Sequence, residues 1–208
     1  MIRVSVTQLE SFRRVIQTQY GDEAELIASI EGQPFTPSWQ MRAGSAWHAL
    51  LAGGEQGEAD EFRFSAEDVA GAKNSCTGGL CELKATRTAI VDRVPVVVSA
   101  MADRLTGATV TEHKATFSAP DTRSYEASLQ WRYYLWVFGA SCVEYRLWHF
   151  SESDKAGQPM RLLGHVSFRC WPYERLEADC LEWLTEFYHW VQAKGLAKHL
   201  EKRAQEAS

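Results

Sequence analysis

The chain is organised around one stretch, Ala102-Asp103-Arg104-Leu105-Thr106-Gly107-Ala108-Thr109-Val110-Thr111-Glu112-His113-Lys114-Ala115-Thr116. Its pattern indicates the end of an apolar strand, a tight turn at Gly107 and a second strand. Side chains alternate between the two faces of a strand, so Glu112 and Lys114 share one face and His113 points to the other. A carboxylate therefore lies beside an ammonium group.

A second carboxylate, that of Asp103, follows the apolar run at 96–102 and can lie across the turn from this pair. Two carboxylates and a lysine at a strand end indicate a site for a hard cation, which prefers oxygen ligands. Each residue also has an ordinary explanation. Asp103 is typical of a turn before Gly107, and Glu112 with Lys114 is compatible with an exposed ion pair on an edge strand, worth ~0.2 to 1 kcal/mol.

The composition is that of an ordinary globular protein: 208 residues, 45% hydrophobic and 24% charged. We expect a single domain over residues 1–208. The sequence contains no run near the ~20 apolar residues of a membrane span and no signal-peptide core at its start, so we expect a cytoplasmic protein. The net charge of -5 argues against binding nucleic acid by bulk charge. It does not exclude a DNA enzyme whose metal and local basic residues contact the phosphates.

Cysteine usage indicates free thiols in a reducing compartment, because the number is odd and no C-x-x-C pair occurs. The five are Cys76, Cys81, Cys142, Cys170 and Cys180. Cys76 and Cys81 flank a turn-like segment, which leaves open a disulfide or half of a zinc site. A structural zinc needs four nitrogen or sulfur ligands, and only these two are close in sequence.

The first predicted helix opens within residues 5–12, because Thr7 and Glu10 have the spacing of a capping box. Leu9, Phe12 and Ile16 are its predicted buried stripe. A helix from 44 to 51 carries His48, and residues 54–78 are polar enough to predict a surface excursion.

The other predicted elements alternate between helix and strand. They are a short acidic helix within 20–40, two strands across 82–103, a strand at 109–117, an aromatic helix at 124–138, strands at 142–150 and 162–171, and one long helix at 174–203. This order predicts an α/β (α+β) fold with a central mixed sheet flanked by helices.

Five patches in a fixed order resemble the PD-(D/E)XK nuclease superfamily. They are the opening Ser5-Val6-Thr7-Gln8-Leu9-Glu10-Ser11-Phe12, Gly44-x-x-x-His48, Asp103, Glu112-x-Lys114 and Gln130-x-x-x-Tyr134. The chain is most similar to the RecB-type exonuclease branch, which includes CRISPR-adaptation nucleases, and to phage exonucleases. The resemblance covers residues 5–134 in discrete patches and implies a restriction-endonuclease-like core. It also implies a metal-dependent DNA exonuclease in recombination, repair or phage DNA processing.

Phosphodiester hydrolysis needs an activated water and a counter to charge on the phosphoryl oxygens. Asp103 and Glu112 would be metal ligands, with the backbone carbonyl of His113 as a third, and Lys114 would position or deprotonate the water. The resemblance implies that His48 is a further ligand. The metal is then Mg²⁺ or Mn²⁺, and an imidazole among carboxylates suits Mn²⁺ better.

Gln130 and Tyr134 are four residues apart and share one face of a helix. The resemblance implies that they line the cleft and orient Lys114 or a DNA phosphate. Arg104 and Arg132 are basic candidates for phosphate contacts.

The chain departs from the family pattern in two ways. The Gly-x-x-Asp pattern of many relatives is absent, because Asp103 follows Ser99-Ala100-Met101-Ala102, and the late cysteines, Cys170 and Cys180, do not support the iron–sulfur cluster of many RecB-type relatives. The sequence also lacks a G-x-x-x-x-G-K-[ST] motif, so any unwinding must come from a partner.

Several alternatives stay open at this point. His48 is compatible with an ordinary half-buried histidine, His113 with an exposed one and Tyr134 with a core residue. The fold could be kept without turnover, as a DNA- or partner-binding module, for which the net acidity and eight tryptophans speak. A third alternative is a hydrolase of another phosphate ester, for which the sequence shows no pocket signature. DNA is the expected partner, a helicase, recombinase or other phage or repair protein is a further candidate, and an oligomer is left open.

Overall fold

The computed structural model describes residues 1–18, 20–56, 61–151 and 159–206. The elements are β1 (Ile2–Ser5), α1 (Val6–Gln17), α2 (Glu23–Glu31), α3 (Trp39–Leu51), α4 (Ala66–Ser75), β2 (Leu80–Val91), β3 (Val94–Thr106), β4 (Thr109–Thr116), α5 (Thr122–Glu126), α6 (Gln130–Phe138), β5 (Cys142–Phe150), β6 (Leu162–Cys170), α7 (Leu176–Ala193) and α8 (Ala197–Glu206). None of these helices is long and apolar enough to cross a membrane.

The strands form one six-stranded mixed sheet in the order β1-β3-β4-β5-β6, with β2 paired to β3. β1 runs parallel to β3 and β4 parallel to β5, while the other pairs are antiparallel. β3 pairs with three other strands, β1, β2 and β4. β2 follows almost its whole length, whereas β1 pairs with residues 96–99 and β4 with residues 104–106. The predicted mixed sheet flanked by helices is confirmed.

Two hydrophobic clusters lie on the two faces of the sheet. On β5, Leu147 belongs to the larger cluster and the next residue, Trp148, to the smaller one, as the alternation of a strand requires. The larger cluster includes side chains of α1, α2, α6, α7 and α8, and the smaller one includes side chains of α3 and α4. The connection from β4 to the parallel β5 runs through α5 and α6, which places α6 against the sheet.

The first helix begins two residues earlier than predicted. Ser5 is its N-cap: the Ser5 hydroxyl accepts from the backbone N–H of Gln8, and the Gln8 side chain accepts from the backbone N–H of Ser5. The predicted capping box of Thr7 and Glu10 is therefore wrong, since Thr7 is already inside the helix. Ile16 is 53% exposed and does not join the buried stripe.

The polar region predicted as a surface excursion contains α4 and contributes to the smaller cluster. Phe62, Phe64 and Ala72 are buried there. A few apolar side chains are enough to hold this polar segment against the sheet. The mean polarity of the segment does not reveal them. Residues 57–60 of this region lie outside the described residues.

Two predicted helices are each divided in two. The C-terminal helix is interrupted at Gly195, whose φ of +72° is a conformation that glycine adopts without steric cost. The aromatic helix is interrupted at Ala127, where α5 ends before α6 begins. All five cysteines are free, so the disulfide left open for Cys76 and Cys81 is absent from the structure.

Candidate functional site

Asp103 and Glu112 are fixed where β3 and β4 separate. The ladder between these strands stops at the pair Arg104–Thr111. Beyond it, the backbone N–H of Asp103 donates to Glu112 Oε1 (3.2 Å), and the backbone N–H of His113 donates to Asp103 Oδ2 (2.7 Å). The two carboxylates thus accept main-chain donors that a continued ladder would have paired with carbonyls. Asp103 is not at a strand end as predicted, since β3 continues to Thr106.

The backbone is irregular at the same place. Ala102 and Leu105 are three residues apart, yet both contact the larger cluster, so the alternation of β3 is broken between them. On β2, the register passes from the pair Cys81–Arg104 to the pair Leu83–Ala102 without pairing Glu82, which has a φ of +50°. Such a conformation costs on the order of 1–3 kcal/mol in a non-glycine residue and is common at functional sites.

Lys114 forms a buried ion pair with Glu112. Its Nζ donates to Glu112 Oε2 (3.0 Å), and Glu112 is 1% exposed on a strand with neighbours on both sides. The prediction that the two share a face is confirmed, and the alternative of an exposed edge pair is wrong. Burial raises the pKa of Glu112 despite the charge of Lys114. Burial lowers the pKa of Lys114, but the charges of Glu112 and Asp103 outweigh it, so that the net shift is upward and Lys114 is an ammonium.

Helix α6 brings Gln130 and Tyr134 to this ion pair. Gln130 Nε2 donates to Glu112 Oε2 (3.2 Å) and to Tyr134 Oη (2.8 Å), and Tyr134 Oη donates to the carbonyl of Met101 in β3 (2.9 Å). The shared face predicted from their spacing is confirmed, because one hydrogen-bond chain runs through both. The network joins α6 to β3 and β4 at the gap between the strands.

We expect Tyr134→Phe to lower the free energy of unfolding by about 1–3 kcal/mol, because the Met101 carbonyl loses a donor and Gln130 loses an acceptor at a buried site. Urea unfolding followed by circular dichroism measures this change. Tyr20→Phe is the matched control, since Tyr20 is 83% exposed. Equal stability of the two variants would show that the network does not hold α6.

His48 reaches the same two strands from α3. Its Nδ1 lies 3.4 Å from Asp103 Oδ1. Burial by itself raises the pKa of Asp103, but the hydrogen bond and charge of His48 and the charge of Lys114 bring it below its usual value. Asp103 is therefore a carboxylate, held between a histidine and a lysine.

His113 is buried, so its interpretation as an exposed residue is wrong. Its ring points away from Glu112, as predicted, and Nδ1 accepts from Trp148 Nε1 (3.2 Å). Burial lowers the pKa of His113 to about 4, so the ring is neutral. Since Nδ1 accepts, Nε2 carries the proton, and it has no partner among the described residues.

A small cavity joins these residues. It is lined by His48, Leu51, Ala52, Glu82, Asp103, Arg104 and His113. In the part of the chain that the structure describes, no three His, Cys, Asp or Glu side chains converge as a complete metal-binding group. The pair in reach of one ion is His48 and Asp103, with Glu112 bonded to the backbone of Asp103. An imidazole nitrogen and a carboxylate oxygen are suitable donors for Mn²⁺ and, through the oxygen, for Mg²⁺.

Glu10 supports the site and was not predicted to do so. It is 9% exposed, and its carboxylate accepts from Arg13, Arg14 and the backbone N–H of Leu129 (2.7 Å). Leu129 is the N-cap of α6 and has no side-chain cap of its own. Glu10 thus supplies a negative charge and an acceptor to the start of the helix that carries Gln130.

The two basic candidates differ in position. Arg104 lines the small cavity beside Asp103. Arg132 lies over the ring of Trp131 and does not line this cavity.

The sequence matches no known family model, and no curated protein matches it significantly. Solved structures do match. LHK-Exo in complex with dAMP is similar over 99% of this chain and 94% of its own, with a TM-score of 0.52 and 14% identity. A phage-related exonuclease from Haemophilus somnus 129PT is similar over 100% and 97%, with a TM-score of 0.50 and 11% identity. SSO0001 is similar over 88% and 76%, with a TM-score of 0.49 and 18% identity. The chain therefore has the mixed α/β fold seen in two exonuclease structures.

Proposed function

We propose that the chain is a metal-dependent nuclease that hydrolyses DNA phosphodiester bonds from strand ends, with a PD-(D/E)XK site of the RecB type. The observation that carries this proposal is the joint fixation of Asp103, Glu112 and Lys114 where β3 and β4 separate. The shared fold with exonucleases supports it. The dAMP in the LHK-Exo structure fits a fold that accommodates nucleotides.

His48, Asp103 and Glu112 would hold the divalent cation, with the backbone carbonyl of His113 as a further ligand. Bound Mg²⁺ or Mn²⁺ supplies an acidified water and neutralises charge on the phosphoryl oxygens. The protein would hold the metal ligands in position. The hydrogen bonds of Asp103 and Glu112 to strand backbone fix both carboxylates before substrate binds.

Lys114 is the residue that acts on the reacting groups. The charges of Glu112 and Asp103 hold the pKa of Lys114 above its usual value, and an ammonium group has hydrogen-bond donors and no lone pair. We therefore assign it to donating to the attacking water or a phosphoryl oxygen and offsetting the charge that develops there. Gln130 keeps Glu112 oriented, and Tyr134 keeps Gln130 oriented.

The test is digestion of linear and circular DNA with Mg²⁺, with Mn²⁺ and with a chelator. We expect linear DNA to be degraded only with metal and circular DNA to be resistant. Asp103→Asn should reduce the rate by roughly 10²-fold or more, as removal of a charge-stabilising group does. Asp92→Asn, at an exposed aspartate paired with His189, is the matched control. No degradation in either metal, or an Asp103→Asn variant as fast as the control, would contradict the proposal.

We expect His48→Ala to raise the metal concentration for half-maximal cleavage at least about tenfold. The loss should be larger for Mn²⁺ than for Mg²⁺, because the imidazole is the softer ligand. Metal titrations of the cleavage rate measure it, and His199→Ala, at an exposed histidine, is the control. Unchanged titrations in both metals would remove His48 from the ligand set.

No observation favours the alternative of a binding module without turnover. The hydrogen bonds that join Asp103, Lys114 and Gln130 to Glu112 support the proposal of turnover instead. DNA binding without cleavage in any metal would nevertheless be the result that supports it.

A further inference from the structure

A second cavity, of about 190 Å³, lies on the sheet next to the candidate site. Its floor is a row of side chains across four neighbouring strands. Arg104 of β3 is paired with Thr111 of β4, Thr111 with Glu144 of β5, and Glu144 with Arg169 of β6. Directly paired residues lie on the same face, so the row is continuous.

The walls add a third arginine and further hydroxyl groups. The remaining lining residues are Ser75, Cys76, Thr77, Thr106, Thr109 and Arg146. Since one water needs roughly 10 to 15 Å³ of such space, the cavity admits a group much larger than water. Arginine and threonine side chains are common contacts of phosphate oxygens.

The lining has three arginines and one carboxylate, a net charge of +2 from these side chains. Glu144 accepts from Arg146 Nε (2.6 Å) and from Arg169 Nε and Nη2 (3.0 and 2.8 Å). Burial raises the pKa of Glu144, but these two arginines outweigh it and hold it below its usual value. Glu144 is therefore charged and fixes the orientation of both guanidinium groups.

Arg104 has a charge that no carboxylate neutralises within the described ranges. It donates to the carbonyls of Gly78 (2.6 Å) and Leu51 (3.1 Å), and its buried Nε has no partner there. Arg104 also lines the small cavity with His48 and Asp103. The two cavities therefore adjoin at this residue.

We propose that the second cavity binds a phosphate group of the DNA strand, adjacent to the phosphodiester that is cut. The inference rests on the proposed function for the identity of the strand. Fixed guanidinium groups match the geometry of phosphate oxygens, and the hydroxyl groups of the serine and threonine side chains in the lining supply further donors. The cavity would hold the DNA strand at a fixed distance from Asp103, because Arg104, which lines the cavity, is the next residue in the chain.

Inorganic phosphate tests the cavity without DNA. At constant ionic strength, we expect phosphate to raise the melting temperature of the wild type in a saturable manner. Arg169→Ala should abolish this increase and Thr111→Val should weaken it. Thr111→Val keeps the shape of a buried side chain and is expected to fold. Arg175→Ala is the charge-matched control, since Arg175 is exposed and outside the lining.

Fluorescence anisotropy with single-stranded oligonucleotides in a chelator identifies the source of the phosphate. The probes carry a 5′-phosphate, a 3′-phosphate or no terminal phosphate. We expect Arg169→Ala to weaken binding of all three about tenfold and to reduce the slope of log K against log salt by about 0.7, as loss of one phosphate contact requires. Weakening confined to one end-phosphorylated probe would assign the cavity to a strand end instead of the internal backbone.

Failure of this inference differs from failure of the proposed function. If the wild type cuts DNA and both cavity variants bind phosphate and DNA as Arg175→Ala does, the cavity assignment is overturned and the nuclease stands. If the wild type cuts no DNA, but Arg169→Ala abolishes phosphate binding and Thr111→Val weakens it, the nuclease is lost and the anion site stands.

Discussion

Lys114→Met is expected to slow metal-dependent DNA cleavage by roughly 10²–10³-fold while leaving the fold intact. The methionine fills the volume of the lysine stem but supplies no charge and no donor for the phosphoryl oxygens. Loss of one such preorganised donor reduces the rate by roughly 10²–10³-fold. Without the ammonium, burial and Asp103 raise the pKa of Glu112 further, so this residue takes up a proton and is not left as a buried unpaired charge. Folding should therefore survive the substitution.

Single-turnover digestion of end-labelled DNA measures the effect, with circular dichroism as the check on folding. Lys194→Met is the matched control, because Lys194 is an exposed lysine paired with Glu23. DNA affinity in a chelator should change much less than the cleavage rate, since the lost interaction acts mainly on developing charge. A folded Lys114→Met variant that cleaves at the wild-type rate would falsify the role of this residue.

Glu10→Gln is expected to give the largest loss of stability, about 3–5 kcal/mol, because removing one partner of a buried ion pair leaves Arg13 uncompensated. Arg13 is 7% exposed and donates to both carboxylate oxygens of Glu10. The same substitution weakens the acceptor at the start of α6, through Leu129. Since α6 carries Gln130, we also expect slower cleavage at temperatures where the variant is still folded.

The pH dependence of stability identifies the cause. Burial by itself raises the pKa of Glu10, but the hydrogen bonds from Arg13 and the backbone of Leu129, with the charge of Arg13, bring it below 4.5. A group with a lowered folded pKa binds fewer protons in the folded state, so its stabilisation is present above 4.5 and is lost as the pH falls through the folded pKa. Glu10→Gln should therefore reduce the fall in the free energy of unfolding at acidic pH, which we call the acid limb.

Urea unfolding between about pH 3 and about pH 7 measures the limb, over the range in which a carboxyl group titrates. Glu23→Gln is the control, an exposed glutamate whose partner is Lys194, and we expect it to change stability little. An acid limb unchanged in Glu10→Gln would mean that another carboxylate controls acid unfolding.

Much of the site is visible in the sequence because it is encoded by local spacing. Glu112 and Lys114 are two residues apart on a strand, and Gln130 and Tyr134 are four apart on a helix. These periods fix which side chains share a face, whatever the rest of the chain does. The strand boundaries around Gly107 are local for the same reason, since the turn needs a residue that tolerates a φ of +58°.

The features that local sequence patterns do not reveal depend on contacts between distant residues. Glu10 has the spacing of a capping partner of Thr7, yet it bonds to Leu129, which is 119 residues away. The position of Asp103 depends on β1 and β4 each pairing with a different part of β3, which no local pattern records. The helix α4 is likewise fixed by Phe62 and Phe64, which pack against side chains of α3 and β5.

The order of strands and helices follows from the amino-acid sequence alone, and so do the shared faces of Glu112 with Lys114 and of Gln130 with Tyr134. The place where β3 and β4 separate, and the set of side chains that line the second cavity, depend on the tertiary structure. Neighbouring residues encode backbone periodicity because it arises from local sterics. A row such as Arg104, Thr111, Glu144 and Arg169 exists only when four strands pair in one register, and that register is set by the burial of both faces of the sheet.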